Sequence, residues 1–220
     1  MRITTAIFDM DGLLIDSEPL WYESALESMK RFGVHINQDE YYQTTGLRTK
    51  EFLQHWFSVF KIDHVNINET EVDITQRVIE KVGTRGVSMD GVAEAIALVQ
   101  QMGLKIGLAS SSPMALIEAV LEKINLKDFF TASTSAEFLP FGKPHPQVFI
   151  DCANALQSKP IECICFEDSF NGLIAAKAAR MKCILVPHPE QFSEDKWNIA
   201  DLKLSSLLSL NQDSLQKLIS

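Results

Sequence analysis

Two carboxylates one residue apart, Asp9 and Asp11, close an apolar run near the start of the chain, in AIFDMDG. Aspartate is a poor strand former and is costly to bury without a partner, so a pair of them at the end of a core strand asks for a chemical reason. Three other segments carry matching groups. Ser110 closes KIGLAS, Lys143 stands in GKPHP, and Glu167 and Asp168 close CICFED. The candidate metal ligands among them (Asp9, Asp11, Glu167, Asp168) offer only oxygens, a donor set for a hard Mg²⁺ rather than Zn²⁺. Such a cation, with Lys143, would neutralise the acids. Near phosphates, Mg²⁺ is usually held by a few carboxylates and retained waters, which makes phosphoryl chemistry the expectation. A carboxylate that attacks phosphorus forms an aspartyl-phosphate and splits one displacement into two; Asp9 is the candidate nucleophile. Asp11, on the same strand face, is the candidate general acid and base. Asp9, Ser110, Ser111 and Lys143 are the candidate phosphate-binding groups. In SSSPMAL, Ser112 reads as an N-cap and Pro113 as the first helical residue, so the N–H groups of that helix are expected to add to the anion site. An isolated D-x-D-G also fits a solvated turn; four strand ends with matching chemistry argue against it.

These groups need a frame that gathers strand ends. The runs ending at Asp9, Ser110, Glu167 and Pro187, with a weaker FFTASTS, are short and nearly continuously apolar, as strands buried on both faces are. Helical stripes separate them: Leu116, Ile117, Val120, Leu121 and Ile124; then Phe149, Cys152, Ala153 and Leu156; then an Ala-rich stretch from Leu173 to Ala179. Strands alternating with helices predict an α/β domain, a Rossmann-like doubly wound parallel sheet. Ligands of such sheets bind beyond the carboxyl ends of the strands, where every anomalous polar group of this chain falls. Residues 16–86 break the alternation. Their stripes (Trp21, Ala25, Met29 and Phe32; Phe52, Leu53, Trp56 and Phe60; Val72 to Val82) are helical throughout. The expected organisation is a core of residues 1–15 and 87–220 with a helical insertion at 16–86, hinged at DSEP (16–19) and GTRG (83–86).

The chain has 220 residues and a formal net charge of −9. With no cluster of Lys or Arg, nucleic acid and anionic membranes are not expected as partners. No apolar run approaches the roughly 20 residues that span a bilayer, and the N-terminus lacks a signal-peptide cleavage pattern, so the cytoplasm is the expected location. A monomer or weak dimer is expected. Cys163 and Cys165 alternate in CICFED but lack two further ligands at short spacing, so they, with Cys152 and Cys183, read as small buried residues.

The motifs FDMDGLLIDSE, Ser110 in GLASSS, Lys143 in GKPHP and Glu167-Asp168 in FEDSFNG occur in this order, and together they resemble the haloacid dehalogenase superfamily, in its branch with a helical cap after the first strand. Within it, FDMDGLLIDSEPLW, SAEFLPFGKPHPQVF and EDSFNGLIAAKAARM are most similar to bacterial phosphatases of 2-deoxyglucose 6-phosphate and hexitol phosphates, which are related to β-phosphoglucomutase and phosphoglycolate phosphatase. The resemblance implies a Mg²⁺ enzyme. Asp9 would be nucleophile and metal ligand, and Asp11 would be acid/base with its carbonyl on the metal. Ser110 and Lys143 would hold the phosphoryl group, and Asp168 would bind Mg²⁺ with Glu167 as ligand or beside it. A phosphorylated sugar or polyol is the implied substrate, met by cap residues for which Glu18, Trp21 and Arg48 are candidates; for Trp21 and Arg48, cap core and solvent are the competing placements. A phospho-accepting receiver module carries its accepting Asp on a later strand, and a dehalogenase hardly needs Asp11 and a metal. A mutase shares all four motifs. Relatives of that kind carry a histidine in the first cap helix where this chain has Trp21, so Asp11 is expected to be uncoupled from that helix.

Overall fold

Register explains why the sequence spends its polar residues at strand ends. In the computed structural model, which describes residues 2–44 and 46–219, the strands β1 (Thr5–Phe8), β2 (Lys105–Ser110), β3 (Ala132–Ser135), β4 (Cys163–Glu167), β5 (Lys182–Leu185) and β6 (Leu202–Lys203) form one sheet in the order β3-β2-β1-β4-β5-β6. Every pairing is parallel. Phe8 at the end of β1 lies opposite Leu108 of β2 and Phe166 of β4. The next residues, Asp9 and Glu167, therefore leave adjacent strands at one level. The chain runs from β1 outward through β2 and β3, then returns to β4 on the other side of β1. That reversal opens the crevice at the carboxyl ends where open parallel sheets bind ligands. β6, two residues long, is too short for periodicity to mark.

Both sheet faces are covered, giving the doubly wound architecture. Phe8, Leu108, Phe166 and Ile184 point into one core. Ile7, Ala109, Cys165 and Cys183 point into the other, with Phe149 and Leu173. All four cysteines are free and buried, and Cys163 and Cys165 share the second core, as small apolar residues do. The crossovers carry α6 (Met114–Lys123), α7 (Gln147–Ala155) and α8 (Phe170–Ala178). No helix of the described residues is long and apolar enough to cross a membrane.

Between β1 and β2 the chain forms α1 (Glu18–Met29), α2 (Gln38–Tyr42), α3 (Thr49–Phe60) and α4 (Ile67–Arg85), and α5 (Val92–Gln101) then leads into β2. Pro19 suits the first turn of α1, where a missing N–H costs nothing. α4 packs against α1, α3 and α6. Two apolar stripes sit differently from their sequence reading. α4 buries Ile67, Thr70, Ile74, Val78 and Val82, leaving Val72 exposed. α3 buries Phe57 in place of Phe60. The rest of each stripe is buried as expected: Phe52, Leu53 and Trp56 in α3, and Ile74, Val78 and Val82 in α4.

Phe8 and Phe166 stack with centroids 4.2 Å apart and planes 6° from parallel, directly beneath Asp9 and Glu167. Phe8→Ala should cost about 3–5 kcal/mol in urea-induced unfolding. A loss below about 1 kcal/mol would mean that this stack does not support the strand ends.

Candidate active site

The Lys143 ammonium, buried to 2 % side-chain exposure, lies 2.6 Å from Asp9 Oδ1, 2.6 Å from Glu167 Oε1 and 3.2 Å from the Ala109 carbonyl. It thus touches the ends of β1, β4 and β2 at once. Glu167 Oε2 accepts from the Asp168 N–H at 3.0 Å, the Ser169 N–H at 3.1 Å and Ser169 Oγ at 3.1 Å. These donors precede α8, at the end of a helix that favours an anion. α8 approaches so closely that a Cβ on Gly172 would lie 1.8 Å from Glu167 Oε1. Glu167 is thus the anchor of Lys143, with both oxygens engaged by the protein.

Asp9, Glu167 and Asp168 each place a carboxylate oxygen within 4.8 Å of the others. Burial drives the Asp9 pKa up from 3.8 to about 7; Lys143 opposes the rise, and the Glu167 and Asp11 charges add to it. Asp168 is pushed well above its ordinary value by burial, then by Glu167, Asp9 and Glu18. Burial works against the ammonium of Lys143, but Asp9 and Glu167 more than offset it and its pKa rises. Three acids facing one ammonium leave negative charge uncompensated. A divalent cation held by oxygens fits that excess, and Asp9 and Asp168 are the carboxylates placed to hold it.

Asp11 is held from two sides. Oδ1 accepts from Ser17 Oγ at 2.6 Å and from Trp21 Nε1 at 2.8 Å. Oδ2 accepts from Ser112 Oγ at 2.6 Å and, weakly, from Ser110 Oγ at 3.5 Å. Two expectations are corrected here. Asp11 is coupled to α1 after all, through the indole N–H. Ser112 is no N-cap, because Pro113 is the cap residue and carries no side-chain bond; the Ser112 hydroxyl finds a carboxylate instead. At the N-terminus of α6 the Met114 N–H donates to Glu137 Oε2 at 3.2 Å. Ser110 Oγ accepts from the Ser112 N–H at 3.0 Å, and Ser111 Oγ donates to the Gly46 carbonyl in the insertion.

A chamber between insertion and sheet is lined by Asp9, Asp11, Ser110, Ser111, Lys143 and Asp168 on the sheet side, and by Glu18 and Trp21 among others on the insertion side. Arg48 is not part of its wall, although Leu47 and Thr49 are; its guanidinium turns to the carbonyls of Ala136, Leu139 and Pro140. Asp16, the third acid of the opening segment, is exposed. Ser17, the bond of Ser112 to Asp11, and the wall residues Tyr41 and Thr44 escaped sequence reasoning. Serine and threonine in turns carry no signal until a partner from another element is known.

A family model described as haloacid dehalogenase-like hydrolase matches residues 3–180. The chain belongs to the haloacid dehalogenase-like hydrolase family. It is 45% identical over 215 residues to hexitol phosphatase B of Escherichia coli K12, covering 97% of each chain. Among solved structures it resembles CbbY of Rhodobacter sphaeroides in complex with phosphate (TM-score 0.87, 24% identity, 97% of this chain and 99% of that one). It also resembles β-phosphoglucomutase of Clostridium difficile (TM-score 0.86, 22% identity, 98% and 96%). Both share the fold of this hydrolase.

Glu18, at the start of α1, has a buried Oε2 with no hydrogen-bond partner. Burial, then the charges of Asp11, Asp9 and Asp16, raises its pKa from 4.5 to about 8. An acid with a higher pKa in the folded state binds more protons when folded, so its contribution to stability falls as pH rises from about 4.5 to about 8. Glu18→Gln removes that ionisation. In EDTA, the melting temperature of the variant relative to wild type should climb across this window and match wild type near its acid end. A difference independent of pH would show that Glu18 ionises freely in the fold.

Proposed function

We propose that this hydrolase is a Mg²⁺-dependent phosphatase that takes the phosphoryl group from a small sugar or sugar-alcohol phosphate, such as 2-deoxyglucose 6-phosphate or a hexitol phosphate, through an aspartyl-phosphate on Asp9. The observation that carries this reading is the charge layout of the chamber. Lys143 is the one basic side chain among the described lining residues, and it is already committed to the Asp9 end. Farther out, Trp21, Tyr41, Thr44 and Thr49 present aromatic faces and hydroxyls, the mixed apolar and hydrogen-bonding lining of a small-molecule site. A neutral polyol fits such a wall. A second phosphate, which a mutase must hold, meets no cation there. The likeness to hexitol phosphatase B supports the same substrate class.

On this reading residues 16–86 are a cap over a core of 1–15 and 87–220, and substrate enters when the cap lifts. Asp9 attacks phosphorus while Ser110 and Lys143 hold the phosphoryl oxygens. Asp11 gives its proton to the departing sugar oxygen and later takes one from the water that attacks the aspartyl-phosphate. Mg²⁺, when bound by Asp9, Asp168 and the Asp11 carbonyl, offsets the negative charge of carboxylate and phosphate at close range. Glu167 acts through Lys143, and Ser17, Trp21 and Ser112 act through Asp11.

Phosphate release should be measured across a panel of sugar, polyol, bisphosphate and carboxylate-bearing phosphates, with Mg²⁺ and with EDTA. The expected result is turnover of neutral-headed hexose and hexitol phosphates, abolished by EDTA and restored by Mg²⁺. Asp9→Asn should be inactive yet folded, and Asp11→Asn should be slower by roughly 10²–10⁴-fold. Isomerisation of β-glucose 1-phosphate to glucose 6-phosphate outpacing phosphate release would reverse the assignment to a mutase.

A further inference from the structure

The guanidinium of Arg48, just before α3, has no terminal donor to spare. Nη1 donates to the carbonyls of Ala136 and Leu139, and Nη2 donates to the Pro140 carbonyl and to Glu51 Oε1. A guanidinium has four terminal N–H bonds, and all four are used. Glu51 completes the arrangement. Its Oε1 lies 2.7 Å from Arg48 Nη2 and accepts from the Gly142 N–H at 3.1 Å, while its Oε2 accepts from the Arg48 N–H at 3.3 Å. The first turn of α3 thus grips the segment 136–142 by carbonyls along its length and by its last amide. The next residue is Lys143.

That segment needs an external hold. Phe138 is 90 % exposed and Phe141 62 %, so its two phenylalanines contribute little burial and Leu139 alone of its large side chains packs on the core; local order falls where apolar contacts are few. The fit is close on the other side as well. A Cβ on Gly142 would lie 2.7 Å from Glu51 Oε2 and 2.9 Å from Arg48 Cγ and Nε. Lys143 must nevertheless sit within 2.6 Å of two carboxylates, an alignment that a drifting loop does not keep.

We propose that Arg48 and Glu51 are positioning residues: by clasping the backbone of 136–142 they set Lys143, so that seating the helical insertion assembles the phosphoryl-binding side of the site. The proposal rests on the phosphatase reading for its importance to turnover, but the clasp itself is tested without substrate. It differs from a role of Arg48 as a sugar-binding group, because its four terminal donors are spent on the protein and its fifth, the Nε–H, is buried, and because Glu51 and Gly142 share in the clasp.

The test uses Arg48→Ala, Glu51→Ala, Gly142→Ala and the Arg48/Glu51 double variant of the full chain. The first readout is hydrogen exchange at the Gly142 amide. The second is binding of inorganic phosphate in the presence of Mg²⁺, a probe with no leaving group. Each single variant should speed exchange at Gly142 and weaken phosphate binding about tenfold, since small misplacements of a positioned group cost up to about 10²-fold. The double variant should be no worse than the more severe single one, because both residues serve one clasp. Arg48→Lys should not restore binding, as an ammonium cannot span three carbonyls and a carboxylate in the plane of the fork. An Arg48→Ala variant that raises the KM for sugar phosphates but binds inorganic phosphate normally would overturn the proposal in favour of a substrate contact. Faster exchange at Gly142 with unchanged phosphate binding would overturn it too, because the clasp would then position nothing. A wild-type protein that binds phosphate but hydrolyses no sugar phosphate would sink the function proposed above and leave the clasp standing.

Discussion

One buried ammonium between two carboxylates organises this molecule. Parallel pairing of β1 with both neighbours puts Asp9 and Glu167 side by side at the sheet's carboxyl edge. Neither acid is tolerable there alone, because a buried charge without a partner is far costlier than one paired and hydrogen-bonded. Lys143 supplies the partner to both. The features around Glu167 follow from the same constraint. Ser169 and two backbone N–H groups satisfy its second oxygen, the start of α8 adds a favourable dipole, and only glycine at 172 lets the helix come this near. Asp168 then makes three acids for one lysine, an excess that suits a divalent cation. An overall charge of −9 would be no obstacle to the phosphate binding proposed above, since the local field would be set by the ammonium and a bound cation rather than by the distant surface.

The helical insertion adds no formal positive charge to this centre; its contribution is orientation and enclosure. Trp21 and Ser17 fix one oxygen of Asp11, Ser111 ties the loop after β2 to the Gly46 carbonyl, and Arg48 with Glu51 grips the approach to Lys143. Each of these contacts exists only while the insertion is seated on the sheet. Lifting it would release Asp11 Oδ1 and the 136–142 segment together, while Asp11 Oδ2 would keep its bond from Ser112.

The sheet and the charged centre were legible in the sequence because the signal is local to each strand. A buried parallel strand is a short apolar run, and its end is marked where polar residues begin, so Asp9, Ser110 and Glu167 announce both a boundary and a site. Lys143 was legible only by its place in GKPHP between strand and helix. What was not legible depends on partners far along the chain. Ser112 before Pro113 has the local chemistry of a helix cap, yet the Asp11 carboxylate captures its hydroxyl. Trp21 belongs to an apolar stripe, but its indole N–H needs an acceptor when enclosed and finds one on the sheet. Arg48 shows no preference in sequence between solvent, substrate and backbone carbonyls; the course of segment 136–142 decides it.

The two oxygens of Asp11 are not equivalent, and the difference bears on how the proposed reaction moves its proton. Oδ1 faces Trp21, whose indole N–H can only donate; a proton placed on Oδ1 would confront another hydrogen and lose that bond. Oδ2 faces the hydroxyls of Ser112 and Ser110, which rotate freely enough to donate or to accept. A proton on Oδ2 therefore keeps every Asp11 contact from the insertion intact and asks only for a hydroxyl to turn. In the proposed reaction the transferable proton belongs on Oδ2, on the side of Ser112 and Ser110. A histidine at position 21 could accept as well as donate, and would make the first helix of the insertion a participant in proton transfer. Tryptophan confines that traffic to the sheet side of the chamber, where water and the departing sugar oxygen both meet Asp11. The choice of side chain at one position of α1 thus separates holding the acid from exchanging its proton.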